Sequence, residues 1–146
     1  MTYRPLRIQE AEFIAHSLAV ELMNDEHEPI PAFHTRSPGK LESCLAEPFQ
    51  TYDGKYLHYH FVRRVALLFY LVTKNHCFSN GNKRMAVTLT MVFCYINKKW
   101  MNIRPEVLYA IANNVAKSHA RDKDEIVNML TRFFKDYLVE YPTHKK

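Results

Sequence analysis

The sequence predicts an all-α fold: a compact single-domain helical bundle built around two strongly apolar helices, with one short β-hairpin. Only three glycines occur among 146 residues, and a fold with many tight turns would need more. Apolar residues recur at helical spacing through most of the chain. A composition of 47% hydrophobic and 13% aromatic residues is enough for a buried core. The length fits one domain over residues 1–146.

The first half of the chain has two helical segments and one hairpin signal. The elements expected there are a helix over residues 8–23, a loop over 24–39, a short helix over 41–46 and a hairpin over 49–56. Pro48 ends the short helix, because a residue before proline avoids the helical conformation. The Asp53-Gly54 pair is typical of a tight hairpin turn. An irregular aromatic loop is an equally good interpretation of residues 49–56.

The second half is dominated by helical segments. They are expected over residues 60–73, 82–97, 105–118 and 122–139. The first two are apolar around most of their circumference, which predicts that they form the centre of the core. Pro105 favours a helix start, since proline suits the first helical turn. The segment 76–84 therefore joins the two central helices.

Charge and composition argue against several functional classes. Lys and Arg number 20 against 15 Asp and Glu, and the net charge of +5 suits an anionic ligand or an acidic partner, although an ordinary solvated basic surface is the preferred interpretation for most of these residues. The basic residues form no long run, so direct binding of nucleic acid is not expected. The longest uncharged apolar segment, 85–96, is too short to cross a bilayer. Three cysteines without a C-x-x-C pair, and no leader, favour the cytoplasm.

The segment 76–84 contains groups that bind phosphate. Gly81 allows a tight turn, and the helix that follows exposes unpaired N–H groups with partial positive charge. Lys83 and Arg84 add two cations at the same helix end. Each cation opposes the helix dipole at a cost of roughly 0.3–1 kcal/mol, which a bound anion would reverse. We therefore interpret this helix start as a phosphate site.

The same segment has a candidate base and two amides. A neutral imidazole at His76 can accept a proton from a hydroxyl. The carbonyls of Asn80 and Asn82 can orient phosphate oxygens or bind a hard cation. Phe78 is expected to anchor the loop in the core. Cys77 is interpreted as a packing residue, with a reactive thiol as the alternative.

Seven positions of this segment resemble the signature of the Fic/Doc superfamily. They are His76, Phe78, Asn80, Gly81, Asn82, Lys83 and Arg84. They fit the pattern of the Doc ("death on curing") branch, H-x-F-x-(N/D)-(A/G)-N-K-R, at every fixed position. The pattern of the Fic branch, H-x-F-x-(D/E)-G-N-G-R-x-x-R, differs at Asn80, Lys83 and Val87. The resemblance covers about residues 30–140.

The resemblance implies an activity. A Doc-like toxin would use ATP and Mg²⁺ to transfer the γ-phosphoryl group to a Ser or Thr hydroxyl of a protein target. The best-known target of the branch is elongation factor Tu. Lys83 replaces a glycine and would obstruct the phosphate pose used for AMP transfer, and Val87 stands where the second Fic arginine would be. Both departures favour an ATP-dependent protein kinase over an adenylyltransferase.

The resemblance also assigns roles to residues. The catalytic group would comprise His76 as the base, with Lys83 and Arg84. The nucleotide would be held by Gly81, Asn82, Lys83 and Arg84. Asn80 would lie near Mg²⁺, although many members carry a carboxylate at this position. The hairpin would be a flap on which an extended target segment docks by strand addition, through Phe49, Thr51, Tyr52 and Lys55.

Regulation by a partner is a further implication. Members of the superfamily often carry an inhibitory helix with the pattern (S/T)-x-x-x-E-(G/N). Ser17 and Glu21 have this spacing, but Leu22 replaces the last residue, so an ordinary exposed pair is the preferred interpretation. A separate antitoxin protein is therefore expected, as in a toxin–antitoxin system.

Three other interpretations stay open. The first is an adenylyltransferase with the same fold. The second is a catalytically weak binding module, because Asn80 is a poorer metal ligand than a carboxylate. The third is a metal site formed by His58, His60 and His76, which is disfavoured because no carboxylate or thiolate lies at a familiar zinc spacing.

Overall fold

Six helices and two antiparallel strand pairs form the computed structural model, which describes residues 2–23, 25 and 27–141. The helices are α1 in three consecutive parts (Ile8–Glu10, Ala11–His16 and Ser17–Leu22), α2 (Lys40–Ala46), α3 (Phe61–Lys74), α4 (Asn82–Ile96), α5 (Pro105–Lys117) and α6 (Lys123–Lys135). The strands are β1 (Thr51–Tyr52), β2 (Lys55–Tyr56), β3 (Lys99–Met101) and β4 (Leu138–Glu140). The predicted all-α class is confirmed. Every helix in this described part of the chain is too short or too polar to span a bilayer.

Helices α3 and α4 form the centre of the core. Helix α3 packs against α2, α4, α5 and α6, and α4 also packs against α1 and α5. Phe69 of α3 lies edge-on to Phe134 of α6, with ring centroids 5.5 Å apart. Met85 and Leu89 of α4 are fully buried. The two central helices predicted from their apolar character are confirmed, and the loop between them lies at one end of the bundle.

Helix α1 buries its small residues rather than its large ones. The fully buried positions are Ala11, Ala15 and Ala19. Phe13 and Leu22 are 69% and 70% exposed, respectively. The middle part, Ala11–His16, is a π-helix. The apolar stripe therefore predicted the helix but not its inner face, because alanines let α1 approach α4 closely and leave the larger side chains outside.

Strands β1 and β2 form the predicted hairpin. The register pairs Thr51 with Tyr56 and Tyr52 with Lys55. Asp53 and Gly54 have φ angles of 53° and 76°, which is the backbone of a two-residue type I′ turn. The hairpin is confirmed, and the alternative of an irregular loop is wrong.

The end of the chain differs from the prediction. Helix α6 ends at Lys135, whereas a helix was expected as far as residue 139. The last two residues of that span, Leu138 and Val139, instead belong to β4, in which Val139 lies opposite Trp100 of β3. The pairing joins segments that are far apart in sequence, and local periodicity does not reveal such a partner.

An ion pair holds the segment before α1. Two guanidinium nitrogens of Arg4 donate to the Glu10 carboxylate at 2.8 and 2.7 Å. The hydrogen bond from Arg4 keeps the pKa of Glu10 below its usual value. The backbone N–H of Arg4 also donates to Asn97 Oδ1 at 2.9 Å, so the pair fixes this segment beside the end of α4.

We expect Glu10→Gln to lower the free energy of unfolding at neutral pH by up to about 1 kcal/mol. A carboxyl with a lowered pKa stabilises the fold above its unfolded pKa of about 4.3, and this contribution is lost as the pH falls through the folded pKa. The difference between variant and wild type should therefore shrink at about pH 2. Urea denaturation of both proteins at pH 7 and at about pH 2 measures this difference in the free energy of unfolding. An equal difference at the two pH values would show that the ion pair is not its cause.

Candidate active site

The loop between α3 and α4 begins with a histidine in the left-handed conformation. Asn75 ends α3, and its N–H donates to the carbonyl of Leu71 at 2.9 Å. His76 follows with a φ of 51° and an exposed side chain. Residues other than glycine adopt this conformation rarely, and such residues concentrate at functional sites. The imidazole is open to solvent and so to a hydroxyl of another molecule.

The next two residues anchor the loop in the core. Phe78 is 2% exposed, and its ring centroid lies 5.9 Å from that of Phe33. The carbonyl of Cys77 accepts a hydrogen bond from the Ser37 N–H at 2.8 Å. The Sγ atom of Cys77 lies 3.7 Å from the Sγ atom of Cys44. Hydrogen bonding to Cys77, together with burial, raises the pKa of Cys44. These contacts support the interpretation of Cys77 as a packing residue.

Asn82 closes the loop with two hydrogen bonds. The N–H of Phe78 donates to Asn82 Oδ1 at 2.9 Å, and Asn82 Nδ2 donates to the Phe78 carbonyl at 2.8 Å. A side-chain amide has further donor and acceptor capacity after making two such bonds. The contact of Asn82 with phosphate therefore stays a prediction, and the structure adds a bracing role for the same side chain.

Gly81 starts α4 in a conformation that glycine favours. Its φ is 81°, and a Cβ at this position would lie 3.1 Å from Cγ1 of Ile30. No side chain caps the helix. Within the described residues, the N–H groups of Asn82, Lys83 and Arg84 have no hydrogen-bond acceptor. An uncapped helix start with partial positive charge is suited to an anion.

We expect Gly81→Ala to lower the free energy of unfolding by about 1–2 kcal/mol from left-handed strain alone, with a further loss from crowding against Ile30. Gly39→Ala is the matched control, because Gly39 also precedes a helix with a φ of 78° but has open space around it. Urea denaturation of both variants measures the difference. A loss at Gly39 equal to that at Gly81 would show that the Ile30 contact is unimportant.

Lys83 and Arg84 supply two cations at this helix start. Arg84 is only 6% exposed, and its Nη1 donates to the carbonyl of Met23 at 3.2 Å. Its Nη2 lies 3.5 Å from the place that a Cβ on Gly81 would occupy, so the guanidinium lies beside the turn. Among the described residues, neither cation forms an ion pair with a carboxylate. A buried cation without a counter-ion is unfavourable, and an anion bound here would relieve that cost.

A cavity of about 810 Å³ meets this helix start at one end. It extends from Arg84 along α4 to Ile96 and is lined mainly by apolar side chains, including Leu18 and Leu22 of α1. His76 is not part of its lining. The cavity therefore approaches the site from the side of Arg84.

Comparison with models of protein families identifies a family for this chain. A family model with the description "Fic/DOC family" matches residues 8–94, which is more than half of the chain. The chain belongs to the Fic/DOC family. The matched region of this Fic/DOC protein runs from the start of α1 almost to the end of α4 and includes the whole 76–84 loop. No curated protein and no solved structure matches the chain.

The hairpin of this Fic/DOC protein does not lie beside the 76–84 loop. Phe49, at the base of the hairpin, packs edge-on to Phe93 with ring centroids 5.9 Å apart. Phe93 lies eleven residues after Asn82, which corresponds to about 16 Å along α4. The other residues predicted to dock the target are exposed: Thr51, Tyr52 and Lys55. Their docking role stays a prediction, and a bound segment would need about five extended residues to reach the loop.

The predicted metal ligand is a single amide. Asn80 is half-buried, and its side chain makes no hydrogen bond in the described part of the chain. No three His, Cys, Asp or Glu side chains there lie close enough together to hold a metal ion. His58 and His60 precede α3 whereas His76 follows it, so the alternative of a three-histidine metal site is wrong.

Two contacts of the site were missed from the sequence. The Met23 carbonyl on Arg84 and the Ile30 side chain against Gly81 both come from the segment between α1 and α2. Met23 was predicted as the last residue of the first helix, and Ile30 as part of a polar loop with prolines. The one signal in the sequence was Ile30 itself, an apolar residue between two prolines that is buried in the structure.

Proposed function

We propose that this Fic/DOC protein is a Doc-like toxin that transfers the γ-phosphoryl group of ATP to a Ser or Thr hydroxyl of a protein target. Members of the family are typically transferases. The observation that carries the proposal is the placement of an exposed imidazole, His76, on the loop that leads into an uncapped helix start. Lys83 and Arg84 lie at the same helix start, and neither forms an ion pair with another of the described residues.

In the proposed reaction the oxygen of the target hydroxyl attacks the γ-phosphorus while His76 takes the hydroxyl proton. The bond from that phosphorus to the oxygen bridging the β- and γ-phosphates breaks, and ADP leaves with the electron pair. Lys83, Arg84 and the first N–H groups of α4 stabilise the charge of the triphosphate. Positioning and electrostatics of this kind are the main contributions that proteins make to phosphoryl transfer.

Lys83 and Val87 support transfer of phosphate rather than AMP. The side chain of Lys83 is half-buried at the second position of α4, where a glycine would leave space for an inner phosphate. Val87 is fully buried one turn further along, so it provides no second cation for an inner phosphate. Lys83 and Arg84 are therefore better placed to bind the terminal phosphate than an inner one.

Asn80 fits a magnesium ion that arrives with ATP. Mg²⁺ in nucleotide sites usually takes one or two protein oxygens, with phosphates and water as its other ligands. The half-buried Asn80 side chain, which makes no hydrogen bond in the described part of the chain, offers one such oxygen. When bound, Mg²⁺ would neutralise part of the phosphate charge.

An antitoxin partner belongs to the same proposal. Ser17 and Glu21 are both exposed on α1. Their exposure supports the interpretation that they are an ordinary surface pair and not part of an inhibitory helix. A partner segment filling the 810 Å³ cavity would contact Arg84 and so oppose ATP binding. We place the activity in the cytoplasm, where a translation factor such as elongation factor Tu would be a candidate target.

The proposal is tested by incubating the purified protein with Mg²⁺, a bacterial lysate and ATP labelled at either the γ- or the α-phosphate. Label from the γ-phosphate on a lysate protein is the expected result. Label from the α-phosphate alone would instead establish the adenylyltransferase. If neither labelled ATP transfers label, and the His76→Ala variant has the same effect on cells as the wild type, the protein is better explained as a catalytically weak binding module.

A further inference from the structure

A second cavity, of about 370 Å³, lies where the hairpin meets the start of α3. Its lining includes Tyr56 of the hairpin, Tyr59 and His60 in front of α3, and Arg64 in the first turn of that helix. It shares no lining residue with the 76–84 loop or with the larger cavity. The catalytic proposal therefore leaves these groups without a role.

Arg64 is a buried cation that has no carboxylate partner among the described residues. It is only 3% exposed, and its Nε donates to the carbonyl of His58 at 2.6 Å. The rings of Phe49 and Tyr56 have centroids 4.6 and 4.4 Å from the guanidinium carbon. In the same part of the chain, its two Nη groups have no hydrogen-bond acceptor and no ion pair. Burial lowers the pKa of Arg64.

The start of α3 lies at the same cavity, with His60 and Phe61 in its lining. Its N-cap, His60, makes no side-chain cap. In the part of the chain that the structure describes, the N–H groups of Phe61 and Val62 have no acceptor. A helix of 14 residues carries partial positive charge at this end. The planar guanidinium of Arg64, next to N–H groups without an acceptor, is suited to an oxyanion such as a carboxylate.

We propose that this cavity binds an acidic side chain of the target protein, an inference that rests on the proposed function and defines how its substrate docks. The surrounding surface favours a polypeptide over a free anion. Tyr52 and Tyr59 are each 75% exposed and Leu57 is 56% exposed, and a segment paired with the hairpin would cover them. The net charge of +5 also favours an acidic segment.

The position of the cavity sets a minimum spacing within the target. Arg64 lies twelve residues before His76, which corresponds to about 18 Å along α3. An extended chain covers about 3.3 Å per residue. The acidic residue should therefore lie at least about six positions from the Ser or Thr that is modified.

The test uses fluorescence anisotropy with two labelled peptides that differ only in having Glu or Gln about six positions from a single serine. We expect the Glu peptide to bind about tenfold more tightly, because it gains a charge-assisted hydrogen bond. Arg64→Gln should remove this preference, and Tyr59→Ala should weaken binding of both peptides. Arg121→Gln is the matched control, because it makes the same charge change at an exposed position and should leave the preference intact.

Equal binding of the two peptides to the wild type, or a Glu preference that survives Arg64→Gln, would overturn the proposal. If Arg64→Gln does not fold, Arg64→Lys keeps the charge, loses the planar fork and should reduce the preference several-fold. ATP binding is measured in parallel. Wild-type protein that binds ATP and transfers its phosphate without a Glu preference refutes the docking site alone. Protein that prefers the Glu peptide but binds no ATP refutes the proposed function alone.

Discussion

His76→Ala is expected to reduce phosphoryl transfer by about 10²–10⁴-fold while leaving ATP binding nearly unchanged. The variant removes the group that takes the hydroxyl proton in the proposed reaction. It leaves the N-terminus of α4, with Lys83 and Arg84, free to bind the phosphates. The rate of γ-phosphate transfer in a single turnover measures the first effect, and calorimetry with ATP measures the second.

Two further variants separate chemistry from backbone effects at this position. His76 has a φ of 51°, and asparagine tolerates this conformation better than most residues. His76→Asn should therefore lose transfer as fully as the alanine variant does. His119→Ala replaces another exposed histidine and should keep full activity. Transfer by His76→Ala within a few-fold of the wild type would show that another group takes the proton.

Arg84→Ala should weaken ATP binding by about 10–100-fold, since a hydrogen bond to a charged group contributes about 1.5–3 kcal/mol. The affinity of Arg84→Lys should fall between those of the alanine variant and the wild type, because lysine keeps the charge but not the planar fork. Isothermal calorimetry with ATP and Mg²⁺ measures the affinities.

The interpretation of Arg84→Ala needs a folding control, because the arginine also donates to the carbonyl of Met23. Circular dichroism of each variant shows whether the helices are retained. Arg121→Ala removes the same charge from an exposed position and should leave the ATP affinity as in the wild type. An unchanged affinity in a folded Arg84→Ala protein would mean that the phosphates lie elsewhere.

The sequence predicted those parts of the site that depend on neighbouring residues. The turn at Gly81, the helix start after it and the burial of Phe78 all arise within nine consecutive residues. The Asp53-Gly54 hairpin is a signal of the same local kind and was also confirmed. The central helices were predicted because a helix that is apolar around most of its circumference is stable in water only when other elements surround it.

The sequence did not predict features that depend on distant contacts. Three such contacts join segments that are separate in the sequence. Strand β3 pairs with β4, Arg84 donates a hydrogen bond to the carbonyl of Met23, and the side chain of Ile30 packs against Gly81. The buried face of α1 was missed because hydrophobicity alone does not show that small side chains allow closer packing. The burial of Arg64 was missed because an arginine in a helical pattern is usually a surface charge, whereas in the structure it is buried between aromatic rings.

A crystal structure of the protein with Mg²⁺ and a non-hydrolysable ATP analogue would show whether the start of α4 binds the triphosphate. The triphosphate is predicted at the start of α4, with the terminal phosphate between Arg84 and the imidazole of His76. An α-phosphate beside His76 would contradict the phosphoryl-transfer proposal. A nucleotide bound away from this helix start would contradict the assignment of the site itself.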